Sequence, residues 1–348
     1  MTASPSDDRP RPASIRDVAE AAGVSITTVS HALNGKGRIA ESTRERVRRA
    51  AKEIGYRPSA SARSLAGGRT GLLALSVSSP TDLLLSLADV DYFMQLTNAA
   101  TITALEAGYA LVTLPVAKDE SLLTRVNVDG AVIVDPVARD PSIAHLRERG
   151  VPVVTTGREL GSEERGWWVD NDHRASTRRA LDHLEAQGAR RVALITGPPI
   201  VSYSADLIAA YTGWCAERGY EPLTETVTRS ATEAGGYAAA TRLFTRSQPP
   251  DAIYVGLDRL ALGALLAAQA RGLSVPGDVL LAACTDSAAS RAADPPLTAV
   301  NLGPERIGHA AAEMLIDLVE GREPAEAHRV MPVELFVRDS TQQMAARV

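Results

Sequence analysis

The run Asp170-Asn171-Asp172-His173 holds the residue types that acid–base chemistry or metal binding would use. Two carboxylates beside an imidazole can exchange protons with a substrate or ligate a cation. The same residue types also cap helices, because a carboxylate or amide oxygen accepts hydrogen bonds from the free backbone N–H groups of a first turn. We favour capping, since an isolated Asp/Asn cluster in front of a helix is what that helix start requires.

Other motifs of catalysis and cofactor binding are absent from the sequence. Gly35-Lys36 is followed by Gly37 rather than Ser or Thr, so it is no phosphate-binding loop. The chain has no Gly-x-Gly-x-x-Gly, Gly-x-Ser-x-Gly or His-Glu-x-x-His motif. Its two cysteines, Cys215 and Cys284, stand far apart in apolar contexts, which indicates buried thiols rather than a disulfide or zinc site. The sequence therefore predicts no enzyme, no cofactor and no metal.

A second set of polar residues occupies the run 25–34. Read as a helix capped by Ser25, it places Val29 and Leu33 on one side. The rest of its surface carries small polar side chains, namely Thr27, Thr28 and His31. Hydroxyl and imidazole groups of this kind form hydrogen bonds with the edges of DNA bases.

The residues before this run predict a partner helix. Ser14 and Asp17 form a capping box that opens a short helix, and Gly23 supplies the turn. Two short helices joined by a Gly-containing turn are the helix-turn-helix signature, whose second helix enters the major groove. A third helix follows, for which we predict a capping box over residues 42–45 and an end at Gly55.

Basic and small residues surround these three helices. Lys36 and Arg38 fit phosphate contacts, with a solvated loop as the alternative. Residues 58–69 predict a short hinge helix that needs a partner to fold, in which Leu65 fits an apolar wedge for the minor groove. Residues 1–69 contain 13 lysines and arginines against 7 acids, a net +6, whereas the remainder contains 24 against 35, a net −11. The basic charge thus lies on the part that looks able to read DNA.

The first residues and the hydropathy pattern predict location. Residues 1–13 are rich in Pro, Ser and Asp, which predicts a disordered arm rather than a signal peptide. No long apolar run free of charge occurs, so we expect a cytoplasmic protein with no membrane partner.

From residue 70 onward, short apolar runs alternate with amphipathic stretches. Strands are predicted at 72–77, 110–114, 131–134, 153–156, 192–195, 226–228, 252–255, 279–283 and 333–337. Helices are predicted near 91–107, 119–126, 141–149, 173–187, 205–218, 233–245, 259–271 and 305–319. This alternation predicts an α/β core of parallel sheets flanked by helices, divided into two lobes near residue 170, with ligands at the carboxyl ends of the strands.

The chain resembles the lactose/galactose-repressor (LacI/GalR-type) family of transcription regulators from Ser14 onward. The resemblance is most specific in the helix-turn-helix segment, through Asp17-Val18-Ala19, Ala22-Gly23-Val24-Ser25, Thr28-Val29-Ser30, Asn34, Thr43-Arg44, Val47, Gly55-Tyr56 and Pro58. Later matches are Val128-Asp129-Gly130, Asp170-Asn171, His183-Leu184, Leu257-Asp258, Pro296-Leu297-Thr298 and residues 337–341. The DNA-reading and hinge residues are similar to those of the purine-repressor branch.

The resemblance implies a domain order and a set of DNA contacts. It implies a helix-turn-helix domain at 14–57, a hinge helix at 58–69 and a periplasmic-binding-protein-like (type I) core at 70–348. The N-lobe is expected at about 70–169 and 304–331, and the C-lobe at about 170–303 and 332–340. The expected DNA-binding residues are Ser25, Ile26, Thr27, Thr28, Ser30, His31, Asn34, Lys36, Arg38, Tyr56, Arg63 and Leu65.

The resemblance also implies a homodimer that closes on a small-molecule effector, a sugar or other polar metabolite. Candidate effector-binding residues are Ser78, Tyr92, Phe93, Asp135, Arg158, Tyr203, Asp206, Asp258 and Asp286. Each has a scaffold or capping role as its alternative. The chain departs from sugar-binding members at four positions where they offer polar ligands, and here has Gly157, Ala210, Leu257 and Thr285. These departures weaken a direct sugar assignment.

We therefore expect a homodimeric, effector-responsive regulator, most simply a repressor, on a near-palindromic double-stranded operator. The alternative is a solute-binding protein whose core is the functional part.

Overall fold

The computed structural model describes residues 13–33, 37–56, 69–78, 91–114, 126–228 and 231–342. The chain divides into one unit that ends at Thr70 and a larger one that begins at Gly71. In the first unit the helices are α1 (Ile15–Ala22), α2 (Ile26–Leu33) and α3 (Glu41–Glu53). Their buried faces meet in a small core that contains Val18, Val29 and Val47.

Two six-stranded sheets form the larger unit, as far as the described residues show. The first contains β1 (Leu72–Val77), β2 (Ala110–Leu114), β3 (Gly130–Val134), β4 (Val153–Thr156), β5 (Trp167–Asn171) and β11 (His328–Met331). The second contains β6 (Val192–Thr196), β7 (Leu223–Thr226), β8 (Ala252–Val255), β9 (Leu280–Ala283), β10 (Thr298–Asn301) and β12 (Glu334–Phe336). We call the regions built on these sheets lobe 1 and lobe 2.

The helices cover the faces of the two sheets. They are α4 (Asp91–Glu106), α5 (Pro141–Glu148), α6 (His173–Ala186), α7 (Ser202–Arg218), α8 (Glu233–Phe244), α9 (Asp258–Gln269), α10 (Ala288–Ala292) and α11 (Pro304–Val319). With helices on both faces, a strand is buried on both sides, so its sequence reads as a continuous apolar run. In β1, for example, Leu73 and Leu75 join one core cluster while Ala74 joins the cluster on the opposite face.

Strand order follows the doubly wound pattern. Lobe 1 is wholly parallel in the order β11-β5-β4-β3-β1-β2, with Leu75 of β1 beside Val132 of β3. Lobe 2 has the order β12-β10-β9-β8-β6-β7 and is parallel except for its edge strand β12, which pairs antiparallel with β10. The predicted α/β fold class with an N-terminal helix-turn-helix is confirmed.

The chain crosses between the lobes three times. It leaves lobe 1 after β5, returns through α11 and β11, and crosses again to reach β12. The side-chain amide of Asn171, at the end of β5, donates to the Leu302 carbonyl (3.0 Å) and the Met331 carbonyl (3.2 Å). One buried side chain therefore ties the three crossing segments together.

Two pairs of helices approach one another closely at glycines. A Cβ atom added to Gly308 of α11 would lie 2.1 Å from the backbone oxygen of Leu96 in α4. A Cβ at Gly263 of α9 would lie 1.9 Å from the Glu233 oxygen in α8, and Gly236 makes the reciprocal approach. Only glycine permits backbones to pack at this distance.

Several local predictions were wrong. The helix α3 begins at Glu41, and its N-cap residue is Ala40, which has no side chain able to cap the helix. The capping box predicted at 42–45 is therefore absent. The strand expected at 226–228 lies at Leu223–Thr226, because Leu223 is the residue that enters the core. The helix predicted from residue 205 begins at Ser202.

The sequence missed three strands, Trp167–Asn171, Thr298–Asn301 and His328–Met331, along with the short helix Ala288–Ala292. The predicted arm (1–13), hinge helix (58–69) and helix at 119–126 lie mainly outside the described residues.

Candidate functional site

The exposed face of α2 is the candidate nucleic-acid surface. Val29 and Ala32 are fully buried, and the side chains that point away from them are solvent-exposed. These are Ser25, just before the helix, with Ile26, Thr27 and His31. One face of this short helix thus anchors it to the domain, while the other presents hydroxyl, imidazole and aliphatic groups.

Local contacts fix how α2 presents that face. The Ser25 hydroxyl oxygen accepts from the Thr28 backbone N–H (3.1 Å) and lies 2.8 Å from the Thr28 hydroxyl. Gly23, with φ of +62°, makes the left-handed turn that ends α1. Gly37 also has positive φ, and a Cβ there would lie 2.9 Å from His31 Nδ1, so the returning loop rests against the imidazole.

The other predicted DNA-binding residues occupy varied positions. Thr28 and Ser30 are half-buried, and Arg38 is exposed. Tyr56 is half-buried and packs against the core of the three helices. Asn34, Lys36, Arg63 and Leu65 lie outside the described residues.

In the larger unit, a cleft lies where the carboxyl ends of both parallel sheets face one another. Its cavity measures about 150 Å³. Lobe 1 supplies residues that follow its strands, such as Ser78, Asp135 and Gly157, and lobe 2 supplies Gly197 and Thr285 in the same way. Ligands of doubly wound folds bind at this edge of the sheet.

Seven of the nine predicted effector-binding residues line this cleft. They are Ser78, Tyr92, Phe93, Asp135, Tyr203, Asp258 and Asp286. The remaining two, Arg158 and Asp206, pair with one another instead. Because Arg158 follows β4 in lobe 1 and Asp206 lies on α7 in lobe 2, this ion pair joins the lobes.

A buried ionic network continues from that pair. Arg158 Nε donates to Asp170 Oδ2 (2.9 Å), and His173 Nε2 lies 3.2 Å from Asp170 Oδ1. Arg174 Nε donates to Asp206 Oδ1 (2.7 Å). The capping interpretation holds for Asp172, which accepts from the Ala175 N–H at the start of α6. Asp170 and His173, however, line the cleft, a role that their short spacing alone did not reveal.

Burial and neighbouring charges set the ionisation of this network. Burial disfavours the charged form of Asp170, but His173 and Arg158 outweigh it and hold the pKa of Asp170 below its normal value. Burial likewise opposes the charge on His173, but its hydrogen bond to Asp170 raises the pKa of His173 to about 10. These two residues therefore form an ion pair at neutral pH.

Asp135 stands apart from the network. It follows β3 in a left-handed conformation (φ +49°), and its N–H donates to the Thr156 carbonyl (2.8 Å). Burial, reinforced by the charge of Asp170 and partly offset by that of His173, raises the pKa of Asp135 to about 7. Its carboxyl group forms no hydrogen bond or ion pair within the described part of the chain.

Two family models match this chain. Residues 14–59 match the bacterial regulatory proteins of the lacI family, and residues 181–341 match a periplasmic binding protein-like domain. The HTH-type transcriptional regulator CelR of Thermobifida fusca is 32% identical over 342 residues, which cover 96% of this chain and 99% of that protein. The chain belongs to the LacI family.

Further relatives support the same assignment for this LacI-family protein. The repressor PurR of Escherichia coli O1:K1 is 31% identical over 92% of this chain and 94% of its own length. The repressor CytR of E. coli K12 is 28% identical over 94% of this chain and 96% of its own length. All three relatives are transcriptional regulators rather than enzymes.

Solved structures agree with the architecture of this LacI-family protein. A CelR–cellobiose complex superposes with a TM-score of 0.72 at 30% identity, over 95% of this chain and all of that one. A lac repressor dimer bound to operator and the anti-inducer ONPF gives a TM-score of 0.77 at 25% identity, over 96% of this chain and all of that one. The chain is thus a LacI-family transcriptional regulator with a helix-turn-helix DNA-binding domain and an effector-binding core.

The described part of the chain contains neither a membrane-spanning helix nor a cluster of metal-binding side chains. None of its helices combines the length and the apolar character needed to cross a bilayer. No three His, Cys, Asp or Glu side chains there lie close enough to hold a metal ion.

Proposed function

We propose that this protein is a homodimeric repressor that binds a near-palindromic operator and releases or retains it according to a small molecule in the cleft between lobes 1 and 2. The observation that carries the proposal is the exposed polar face of α2 in a chain whose core opens a cleft at the strand ends of two lobes. A reading helix and a ligand-responsive hinge are the two parts that such a switch needs.

Support for the homodimer comes from α4. It exposes three large apolar side chains, Met94 (50%), Ile102 (50%) and Leu105 (61%). Exposed apolar side chains grouped on one helix are typical of an interface, and a two-fold dimer would present two reading helices to two half-sites. The operator-bound lac repressor is such a dimer.

Support for the DNA contacts comes from the exposure of Thr27 and His31 on α2. We propose that these two side chains contact base edges, that Lys36 and Arg38 contact phosphates, and that Leu65 inserts between base pairs at the operator centre. The lobe boundaries given above remain part of the same proposal.

Selection of bound sequences from random duplex DNA by the full chain tests this function. We expect wild type to select a near-palindromic motif. His31→Ala should select the same motif with a weaker base preference at one position of each half-site, because a lost base contact relaxes the preference at the base that it touched. Lys36→Ala serves as the matched variant: it should weaken all sequences alike and lower the salt dependence by about one ion. An unchanged motif for His31→Ala removes that residue as a reader.

A failure to enrich any sequence would instead favour a solute-binding protein. Gel shifts with the DNA upstream of the protein's own gene, with and without candidate metabolites, then test the switch. Analytical ultracentrifugation of the full chain and of Ile102→Glu tests the dimer, which the charge should dissociate.

A further inference from the structure

We infer that the ligand of this cleft is a small organic amine with an apolar body, whose cationic nitrogen is bound by Asp135 between Tyr92 and Tyr203. The inference rests on the proposed function and names the ligand class of the same site. It follows from a comparison of the polar side chains of the cleft. Some of them form hydrogen bonds or ion pairs with other protein groups, and others form none with a described residue.

Most polar side chains in the cleft are occupied by protein partners. The Ser78 hydroxyl donates to Asp140, and the Ser204 hydroxyl donates to the Pro198 carbonyl (2.7 Å). Asp170 and His173 neutralise one another, as described above. A polyhydroxylated ligand needs many open donors and acceptors, and these groups would have to break existing hydrogen bonds to serve it.

The carboxylates of lobe 2 are engaged as well. Asp286 pairs with Arg291 (2.7 Å) and with Arg338 (2.8 Å). Asp258 accepts from the Thr285 hydroxyl (3.4 Å), whose oxygen also accepts from the Asp258 N–H (2.8 Å). Asp286 is therefore ion-paired. Asp258 has no ion pair among the described residues, but its carboxylate accepts a hydrogen bond and lies in the first turn of α9, where the helix dipole favours a negative charge.

Asp135 and the two tyrosines remain open. None of the three side chains forms a hydrogen bond with any described residue. All three line the same cleft, and burial, followed by the negative charge of Asp135, raises the pKa of Tyr92 and of Tyr203. A carboxylate beside aromatic rings is the arrangement that binds ammonium groups.

Desolvation makes a carboxylate without a charged partner costly. Its raised pKa expresses that cost, and a cationic partner would relieve it where a neutral hydroxyl would do so less well. Two cationic side chains also line the cleft. The charge of His173, which is paired with Asp170, lowers the pKa of Asp135 without cancelling the effect of burial, and Arg259 forms no ion pair with a described residue. Among the acids that line the cleft, Asp135 alone has a carboxyl group without a hydrogen bond or ion pair to a described residue.

The rest of the cleft wall is apolar. Val77, Phe93 and Ile307 line it from lobe 1, and Ile200, Val227 and Leu257 line it from lobe 2. Pockets of this composition bind ligands by burial of carbon surface and use a few polar groups to orient them. One cationic end and an apolar body satisfy both parts.

The test compares matched probes by titration calorimetry on the full-length protein at pH 8. The probes are 2-phenylethylamine, 2-phenylethanol and 3-phenylpropionate, with hexylamine, hexanol and heptanoate as an aliphatic set. In at least one set we expect the amine to bind at least tenfold more tightly than the alcohol, and the carboxylate not to bind. Asp135→Asn should reduce the preference for the amine to less than threefold.

Asp278→Asn is the control, because it removes the same charge from an exposed loop of lobe 2. It should keep the full preference. The inference is overturned if no amine binds, if alcohols bind as tightly as amines, if carboxylates bind best, or if folded Asp135→Asn retains the preference. Operator binding by the wild-type protein is measured in parallel without any ligand. If the protein binds no operator, the proposed function fails. If it binds operator but no amine, only this inference fails.

Discussion

Asp135→Asn should make the core of this protein more stable, although Asp135 lies in the cleft. The pKa of the carboxyl is about 7 in the folded protein, against 3.8 for the ordinary side chain. An acid whose pKa is raised by folding costs no stability below its unfolded value, and its full cost is present above the folded value. At about 1.4 kcal/mol for each tenfold change in ionisation, that cost reaches at most about 4 kcal/mol at pH 8.

The pH dependence separates this charge from any change in packing. At pH 5 the cost is only about 1.5 kcal/mol, so the difference in unfolding free energy between Asp135→Asn and wild type should widen by about 2–3 kcal/mol between pH 5 and pH 8. The amide keeps the size of the side chain and cannot ionise. A packing effect would change the unfolding free energy by the same amount at pH 5 and at pH 8.

Urea denaturation followed by tryptophan fluorescence is the appropriate assay. All three tryptophans, Trp167, Trp168 and Trp214, belong to the larger unit, which begins at Gly71, so the fluorescence reports the unfolding of that unit even in the full chain. Asp278→Asn should lower the unfolding free energy relative to wild type instead of raising it. Hydrogen bonds from Ser274 hold the pKa of Asp278 below normal and stabilise its charged form, which the substitution removes. A difference for Asp135→Asn that is constant from pH 5 to pH 8, or that narrows, would refute the reasoning.

Three further predictions concern packing, the junction between the lobes and the operator. Gly263→Ala should lower the free energy of unfolding by about 1–3 kcal/mol by urea denaturation, because its Cβ meets the α8 backbone; Gly213→Ala, where nothing lies within 4 Å, should be neutral or stabilising. Arg158→Ala should cost about 3 kcal/mol in the same assay, because buried Asp206 loses a partner, and a change under 0.5 kcal/mol would show that the ion pair contributes little. Leu65→Ala should weaken specific operator binding more than non-specific binding in competition gel shifts, and equal losses would argue against a wedge.

The parallel architecture was predictable because it rests on local patterns. Strands buried on both faces, such as Leu72–Val77 and Ala252–Val255, are continuous apolar runs with the bounds expected. Trp167–Asn171 and His328–Met331 were missed because their residues are mixed in polarity. The first is a strand between β4 and β11, and the second pairs only with Trp167–Asn171, more than 150 residues earlier in the chain.

The position of the candidate cleft was likewise predictable, since strand ends in such folds lie together. The state of its side chains was not. Ser78 and Asp140 are 62 residues apart and Arg158 and Asp206 are 48 apart, so no local spacing shows which polar groups the protein has already engaged. Asp135 is one of four acids among the nine candidates, and it alone of the four has a carboxyl group without a hydrogen bond or ion pair to a described residue.

The amide of Asn171 has a consequence for how the two lobes move. Three separate crossing segments would allow the lobes to bend, twist and slide independently, whereas segments tied at one point act as a single axis. If the lobes close on a ligand as proposed, motion about one axis would leave few conformations to lose, so closure would cost less entropy than it would for loosely linked lobes. A small ligand, with little surface to bury, can then supply enough binding free energy to shift the equilibrium.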